Sequence, residues 1–104
     1  MDTKQFHTEG ILWFKNTVAP RLVRDYEMKY TSASDGDLGA LEAVEFNSEN
    51  RGGYIHFWSN GYIGFELVDY DSGDDIVEDV MVEWDDSCKN FDEVLAPLLE
   101  GLDR

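Results

Sequence analysis

The sequence predicts an α+β domain: a four-stranded antiparallel sheet flanked by an N-terminal helical segment and a C-terminal helix. Three observations support this fold class. A strong hairpin signal lies at the centre of the chain, alternating apolar and polar residues lie on both sides of it, and apolar residues recur at helical spacing near both termini. The 104 residues are predicted to form a single domain, 1–104, which is long enough to bury one hydrophobic core.

The central segment 52–70, GGYIHFWSNGYIGFELVDY, is predicted to form a β-hairpin. Its flanks are rich in aromatic and β-branched residues, which favour strands, and Asn-Gly is a strong hairpin signal. A two-residue turn at Asn60-Gly61 would pair Ser59 with Tyr62 and mix apolar and polar side chains on both faces. A three-residue loop, with Gly61 at positive φ, would pair Trp58 with Tyr62 instead.

The three-residue loop is favoured because it separates the side chains into one apolar face and one amphipathic face. The apolar face would carry Ile55, Phe57, Ile63, Phe65 and Leu67. The opposite face would carry Tyr54, His56, Trp58, Tyr62, Gly64 and Glu66. This row of aromatic side chains with a carboxylate is the most suggestive feature of the sequence.

The N-terminal segment 4–30 has apolar residues at roughly helical spacing, interrupted by Gly10 and Pro20. One kinked helix and two short helices are both compatible with this pattern. In the second case Thr17 would cap the helix that contains Pro20, whose missing N–H does no harm in a first turn. Residues 31–38, TSASDGDL, have the composition of a loop.

Alternation of polar and apolar residues predicts one strand before the hairpin and one after it. The first, Leu41–Asn47, would direct Val44 and Phe46 towards the core. The second is Ile76–Trp84, and the adjacent acids Glu78 and Asp79 indicate a bulge within it. Its inward-facing residues would be Val80, Val82 and Trp84.

The C-terminal helix is predicted to begin at Asn90, which forms a capping box with Glu93. An apolar stripe at helical spacing follows, and Pro97 would either kink or shorten the helix. Both terminal segments must bury an apolar stripe. The opposite face of the sheet is then free, unless the two termini pack on opposite sides.

The formal net charge of −15 is concentrated in the second half of the chain, with −3 over residues 1–51 and −12 over residues 52–104. Such a field repels nucleic acid and anionic membranes and attracts basic partners. Its magnitude exceeds the roughly 2 to 8 charges that suffice for the solubility of a small domain. The charge therefore predicts a basic protein partner, with no direct nucleic-acid or membrane binding.

No motif in the sequence predicts an enzyme, a cofactor or a metal site. The acidic turn 69–75 departs from the calcium-loop pattern, since Gly73 stands at its fifth position. The acids Glu83, Asp85 and Asp86 are too alike in environment to serve as a catalytic pair. Cys88, the single cysteine, fits a reducing compartment, and the chain shows neither a signal peptide nor a membrane span. A cytoplasmic location is expected.

Exposed aromatic side chains bordered by acids are typical of a surface that stacks on arginine and pairs with it. A rival interpretation places these aromatics under a helix, in a second small core. On the first interpretation the predicted partner-binding residues are Tyr54, His56, Trp58, Tyr62, Glu66, Asp69, Tyr70, Asp71, Asp74, Asp75, Glu78, Asp79, Glu83, Asp85 and Asp86.

At the level of architecture, the chain resembles the small immunity proteins of bacterial contact-dependent inhibition and related polymorphic toxin systems. The likeness lies in the short length, the acidity, the N-terminal helix with Trp13-Phe14, the hairpin of residues 52–70, the VMVEWDD strand and the FDEVLAPLLEGL ending. The resemblance implies a cytoplasmic inhibitor, a monomer that forms a one-to-one complex with a cognate basic toxin domain. Such toxins are often nucleases, including tRNA-cleaving ones. The alternatives are an acidic regulatory or adaptor module that binds another protein, and a small-ligand or metal-dependent enzyme.

Overall fold

A computed structural model describes residues 6–34, 39–84 and 90–103. Within these residues, helical segments precede and follow one antiparallel sheet, whose five strands are arranged in sequence order. The helices are α1 (Phe6–Trp13), α2 (Ala19–Leu22), α3 (Phe91–Val94) and α4 (Ala96–Leu102). The strands are β1 (Glu27–Ala33), β2 (Leu41–Asn47), β3 (Arg51–Trp58), β4 (Tyr62–Asp69) and β5 (Asp75–Glu83). The α+β class is as predicted.

The prediction of four strands is wrong, because β1 is a fifth strand. Residues 27–30 were expected to be helical and residues 31–33 to lie in a loop. In the structure all seven residues pair with β2, from Glu27 opposite Asn47 to Ala33 opposite Leu41. Pairing with residues 27–33 supplies the backbone hydrogen bonds that β2 would otherwise lack along one side. The free energy gained from these bonds outweighs the weak helical propensity of residues 27–30.

The N-terminal segment stays helical from Phe6 to Leu22, with a π-helical turn at residues 14–18 between α1 and α2. Pro20 lies in the first turn of α2, where no helical N–H is required of it. Thr17 does not cap α2; the N-cap is Val18, which makes no side-chain capping bond. The single-helix alternative is therefore the closer description, since the π-helical turn absorbs the irregularity ahead of Pro20.

The hairpin has the predicted three-residue loop. Ile55 lies opposite Phe65 and Phe57 opposite Ile63, and the Gly61 N–H donates to the Trp58 carbonyl at 2.9 Å. Gly61 has φ +99°, a backbone conformation that glycine adopts much more readily than residues with a Cβ atom. The five apolar residues expected on one face are all buried.

Strand β5 carries the predicted bulge. Val80 pairs with Phe65 and Val77 with Leu67, so the two acids Glu78 and Asp79 lie against the single residue Glu66. Val82 and Trp84 pack against the core as expected. Val80 does not, and it is 39% exposed. Val80 directly follows the bulge at Glu78 and Asp79, where the alternation of the strand is interrupted.

The C-terminal helix begins after Asn90, as predicted, and the Asn90 Oδ1 accepts a hydrogen bond from the Glu93 N–H at 2.8 Å. Leu95 then separates two short helices, and Pro97 occupies the first turn of the second. Pro97 thus divides the predicted helix. The apolar stripe still reaches the core, because Phe91, Leu95 and Leu98 are buried.

Both helical ends pack on the same face of the sheet, which we call the inner face. Gly10 of α1 lies directly against the Phe57 ring, and Gly101 of α4 lies against Val77 and Leu67. Phe91 packs on Phe57 with ring centroids 5.7 Å apart. The core formed here joins α1, the π-helical turn, α3 and α4 to the inner face.

Candidate functional site

The opposite side of the sheet, the outer face, carries the candidate site. Strand pairing places its side chains in neighbouring cross-strand rows, and two of them form the centre of the face. One row holds Ala43, His56, Gly64 and Met81, and the next holds Glu45, Tyr54 and Glu66. Both helical ends pack on the inner-face side chains of these strands. None of the helices in the described residues therefore packs over the outer face. Among the described residues, the aromatic side chains of this face therefore do not lie under a helix, as the rival interpretation of the sequence had them.

An aromatic row runs along β3 on the outer face. The rings of Tyr54 and His56 lie 4.5 Å apart, and those of His56 and Trp58 meet edge to face at 6.2 Å. All three side chains are half-buried, because they cover one another and the small residues Ala43 and Gly64. Trp58 Nε1 is buried and has no acceptor among the described residues. Only part of each ring in the row is therefore accessible to a binding partner.

Tyr54 joins the aromatic row to the acids of the outer face. Its hydroxyl donates a short hydrogen bond to Asp79 Oδ1. Burial, this hydrogen bond and the charges of Asp79 and Glu66 together raise the pKa of Tyr54 above its usual value. Tyr54 therefore stays a neutral donor, and Asp79 is held beside the row by the bulge in β5.

Glu66 lies directly opposite Tyr54 and is half-buried. Loss of solvation raises the pKa of Glu66, and the nearby carboxylates of Asp75 and Asp79 raise it further. No hydrogen bond or ion pair offsets that cost in the part of the chain that the structure describes. A cation bound at this place would reduce the repulsion among the three acids and would offset the cost of desolvating Glu66.

His56 lies between Tyr54 and Trp58, and burial lowers its pKa. The carboxylates of Glu45 and Asp79 act in the opposite direction and favour the charged imidazolium. The burial effect is the larger of the two, so the ring is predominantly neutral at physiological pH. A neutral imidazole offers one donor and one acceptor to a partner.

The acidic border continues at both ends of the aromatic row. Tyr62 and Glu83 lie opposite each other, and the hydrogen bond between their side chains raises the pKa of Tyr62. At the other end, a shallow depression of about 240 Å³ is lined by Glu45, Tyr54, Glu66 and Tyr70, among others. Its floor includes Gly52, where an added Cβ would strike the Tyr70 hydroxyl.

The acidic turn that follows β4 is built around Asp69. Its Oδ1 accepts from the N–H of Asp71 at 2.9 Å, and its backbone N–H donates to the Asp74 carbonyl at 2.9 Å. Gly73 has φ +77° and completes the turn. Tyr70 reaches back to donate a hydrogen bond to Asn47 Oδ1, which ties the turn to the edge of the depression. Asp71 and Asp74 remain exposed.

The structure brings most of the predicted partner-binding residues together, but not all of them. Tyr54, His56, Trp58, Tyr62 and Glu66 share the outer face, and Asp75, Asp79 and Glu83 reach it from β5. The residues Asp69, Tyr70, Asp71 and Asp74 form the adjoining turn, and Glu78 is exposed in the bulge. Asp85 and Asp86 lie outside the described residues.

Two residues of the outer face were not predicted to belong to the site. Glu45 lies opposite Tyr54 and lines the depression, and Met81 lies opposite Gly64 and is 54% exposed. The alternation of β2 already placed Glu45 on the face away from the core. What the sequence lacked was the pairing register between β2 and β3, which decides that Glu45 neighbours Tyr54.

In the ranges 6–34, 39–84 and 90–103, no group of three or more histidine, cysteine or acidic side chains is arranged to hold a metal ion. None of the helices in these ranges has the length and apolar character required to cross a membrane. Comparison of the chain with protein-family models, curated proteins and solved structures finds no match.

Proposed function

We propose that this chain is an immunity protein, which binds a cognate basic toxin domain through its outer face and thereby blocks the toxin. The observation that carries the proposal is the outer face, over which none of the described helices packs. On it the Tyr54-His56-Trp58 row is bordered by carboxylates that repel one another, and no cation lies beside Glu66 among the described residues. The resemblance of the sequence to acidic immunity proteins of bacterial toxin systems supports the same function. The toxin class proposed is a nuclease, such as a tRNA-cleaving enzyme, with binding in the cytoplasm.

The chemistry of the outer face suits arginine and lysine side chains. A guanidinium in the depression would lie between Glu45 and Glu66 and could stack on Tyr54. Nuclease surfaces that hold RNA or DNA are basic, because they must neutralise phosphates. A polyanionic protein that occupies such a surface excludes the nucleic acid sterically and by charge.

The two components of the outer face are expected to act on different stages of binding. The acids speed encounter with a basic surface over distances of about a Debye length, ~8 Å at physiological salt. The aromatic row supplies contact area at small entropic cost and slows dissociation. A one-to-one complex follows, because each chain has one such face.

The first test is co-expression with the product of the adjacent gene, which we expect to contain the toxin domain. We expect the two proteins to co-purify, and we expect the purified chain to inhibit cleavage of tRNA by that domain at stoichiometric amounts. If the toxin domain retains full activity and no complex forms, the proposal is wrong. If a complex forms without inhibition, an acidic adaptor is the better description.

The second test locates the interface with Tyr54→Ala and Trp58→Ala. Truncation of an aromatic side chain at an interface centre typically costs about 2 kcal/mol or more of binding free energy. The control is Glu9→Gln, an exposed acid of α1 on the other side of the sheet, which should leave affinity nearly unchanged. The melting temperature of every variant is measured as well. Variants that bind normally once folded would exclude the outer face as the interface.

A further inference from the structure

The two edges of the sheet differ in how well they are protected against pairing with another strand. Strand β5 has two irregularities in its pairing with β4 and carries the acids Asp75, Glu78, Asp79 and Glu83. Bulges and charges of this kind prevent edge-to-edge association. Strand β1 at the other edge is regular over Glu27–Ala33 and contains neither a proline nor a bulge.

The register of the sheet shows which backbone groups of β1 point outward, and among the described residues these groups have no neighbouring strand. The N–H of Ser48 donates to the carbonyl of Arg51, and that of Ser59 donates to Ala40, both at 2.8 Å. Even-numbered residues of β2 therefore direct their backbone groups towards β3, and odd-numbered ones towards β1. Since Lys29 lies opposite Glu45, it is Met28, Tyr30 and Ser32 whose N–H and C=O groups point away from the sheet.

We propose that β1 is a homodimer interface, at which the β1 strands of two copies pair antiparallel and join their sheets into one of ten strands. Full overlap of the two strands centres the two-fold axis on Tyr30. Tyr30 would then pair with its own copy, and Met28 with the partner's Ser32. These are the residues whose backbone groups point outward, so each pair would exchange two hydrogen bonds.

Side-chain charges favour this register over its neighbour. Moving the axis to Lys29 would place the two Lys29 side chains directly opposite each other, which is destabilising. With the axis at Tyr30, Lys29 faces the partner's Thr31. Within its own sheet, Lys29 lies opposite Glu45, so its charge has an opposite charge as cross-strand neighbour.

The distribution of charge favours a second copy of this chain as the occupant, because β1 lies at the less acidic edge of the sheet. The half of the chain that ends with β1 and β2, residues 1–51, carries a net −3, and the remainder carries −12. Strands lie about 4.8 Å apart, so β5 is roughly 19 Å from β1, which is about two Debye lengths at physiological salt. Pairing through β1 keeps the acidic edges of two copies at opposite ends of the joined sheet. A basic partner, by contrast, is drawn to those acidic edges and not to β1.

Dimerisation through β1 does not involve the outer face of either copy, so it is compatible with the proposed binding of a toxin domain there. It departs from the monomer expected from the sequence, in which residues 27–33 were not recognised as a strand. Each copy could still bind one toxin domain. The two kinds of association have opposite salt dependence: added salt screens repulsion between two acidic copies, whereas it screens attraction to a basic partner.

The test compares Ser32→Pro with Ser32→Ala by sedimentation over a range of protein and salt concentrations. Both variants lose the Ser32 hydroxyl bond to Glu42, which is 2.7 Å long, but only proline removes the outward N–H. Wild type and Ser32→Ala should show a monomer–dimer equilibrium that shifts towards dimer as salt is raised. Ser32→Pro should remain monomeric while retaining the wild-type circular dichroism spectrum.

Amide hydrogen exchange in the unaltered chain provides a test that does not depend on folding of the proline variant. The N–H groups of Tyr30 and Ser32 should exchange more slowly as protein concentration rises, whereas Lys29 and Thr31 are protected at every concentration. A wild-type chain that stays monomeric at its highest soluble concentration at high salt overturns the proposal. So does a Ser32→Pro variant that is folded and dimerises as Ser32→Ala does.

Discussion

Glu66 is a single residue whose contribution to stability should depend on pH. Burial raises its pKa above the ordinary value of 4.5, and the carboxylates of Asp75 and Asp79 raise it further. A group with a raised pKa in the folded state gives its full stabilisation below the unfolded pKa and loses it as pH rises through the folded pKa. Ionised Glu66 therefore opposes folding at neutral pH.

The corresponding variant is Glu66→Gln. We expect it to be more stable than wild type at pH 7, and we expect the difference to vanish as pH falls below the ordinary glutamate pKa. Urea unfolding over this pH range measures the effect, with Glu9→Gln as the control for removal of one negative charge from the exposed α1 surface. The same Glu66→Gln change should weaken binding of the toxin domain. A variant less stable than wild type at pH 7 contradicts this account.

Gly61 is the residue at which the hairpin most needs glycine. Its φ is +99°, and an added Cβ would meet no atom closer than Trp84 Cβ at 3.9 Å, so the cost of a side chain is backbone strain rather than a clash. Gly61→Val should destabilise the fold by roughly 1–3 kcal/mol. Gly64→Ala is the matched control in β4, because its Cβ would make ordinary contacts and its φ is not positive. Equal unfolding free energies for the two variants would be inconsistent with strain at Gly61.

At the level of elements, the packing of α1 on the sheet depends on Gly10. A Cβ at this position would lie 2.3 Å from Phe57 Cδ1, and the Phe57 ring is fully buried. Gly10→Ala should therefore destabilise the protein by about 1–3 kcal/mol through overpacking, although alanine has the higher helical propensity. Leu12→Ala, at a side chain that is 46% exposed, should cost less. Thermal or urea unfolding distinguishes them, and a stabilised Gly10→Ala variant would show that α1 can move away from Phe57.

The elements that could be predicted are those that depend on nearby residues. The hairpin loop follows from Ser59-Asn60-Gly61 and two alternating flanks, and the helix start at Asn90 follows from its capping box. Strand β1 could not be found in this way. Leu22, Tyr26 and Tyr30 recur at helical spacing, whereas Met28 and Tyr30 also alternate as in a strand, and only pairing with β2 selects the strand.

For the whole molecule, sequence patterning identified the apolar and the amphipathic face of the hairpin, but not whether the two helical ends would pack on one face of the sheet or on both. That choice is made by shape complementarity between distant segments: Gly10 fits Phe57, and Gly101 fits Val77 and Leu67. The same limit explains why Glu45 was not assigned to the site. Glu45 neighbours Tyr54 only because of the register between β2 and β3. The turn that joins these two strands has no sequence signal as specific as Asn60-Gly61 in the hairpin loop.

The uneven charge of the whole molecule predicts electrostatically steered association with the proposed toxin domain. Stopped-flow measurement should show that the association rate constant falls by roughly tenfold or more between low salt and well above physiological salt, while the dissociation rate constant changes much less. The double variant Asp71→Asn/Asp74→Asn removes two exposed charges of the turn without altering the aromatic row. It should lower the association rate constant at low salt and leave the dissociation rate constant nearly unchanged. Trp58→Ala should do the reverse and raise the dissociation rate constant. If association is independent of salt, or if the double variant acts mainly on dissociation, charge does not steer the encounter, and the aromatic row alone is the basis of binding.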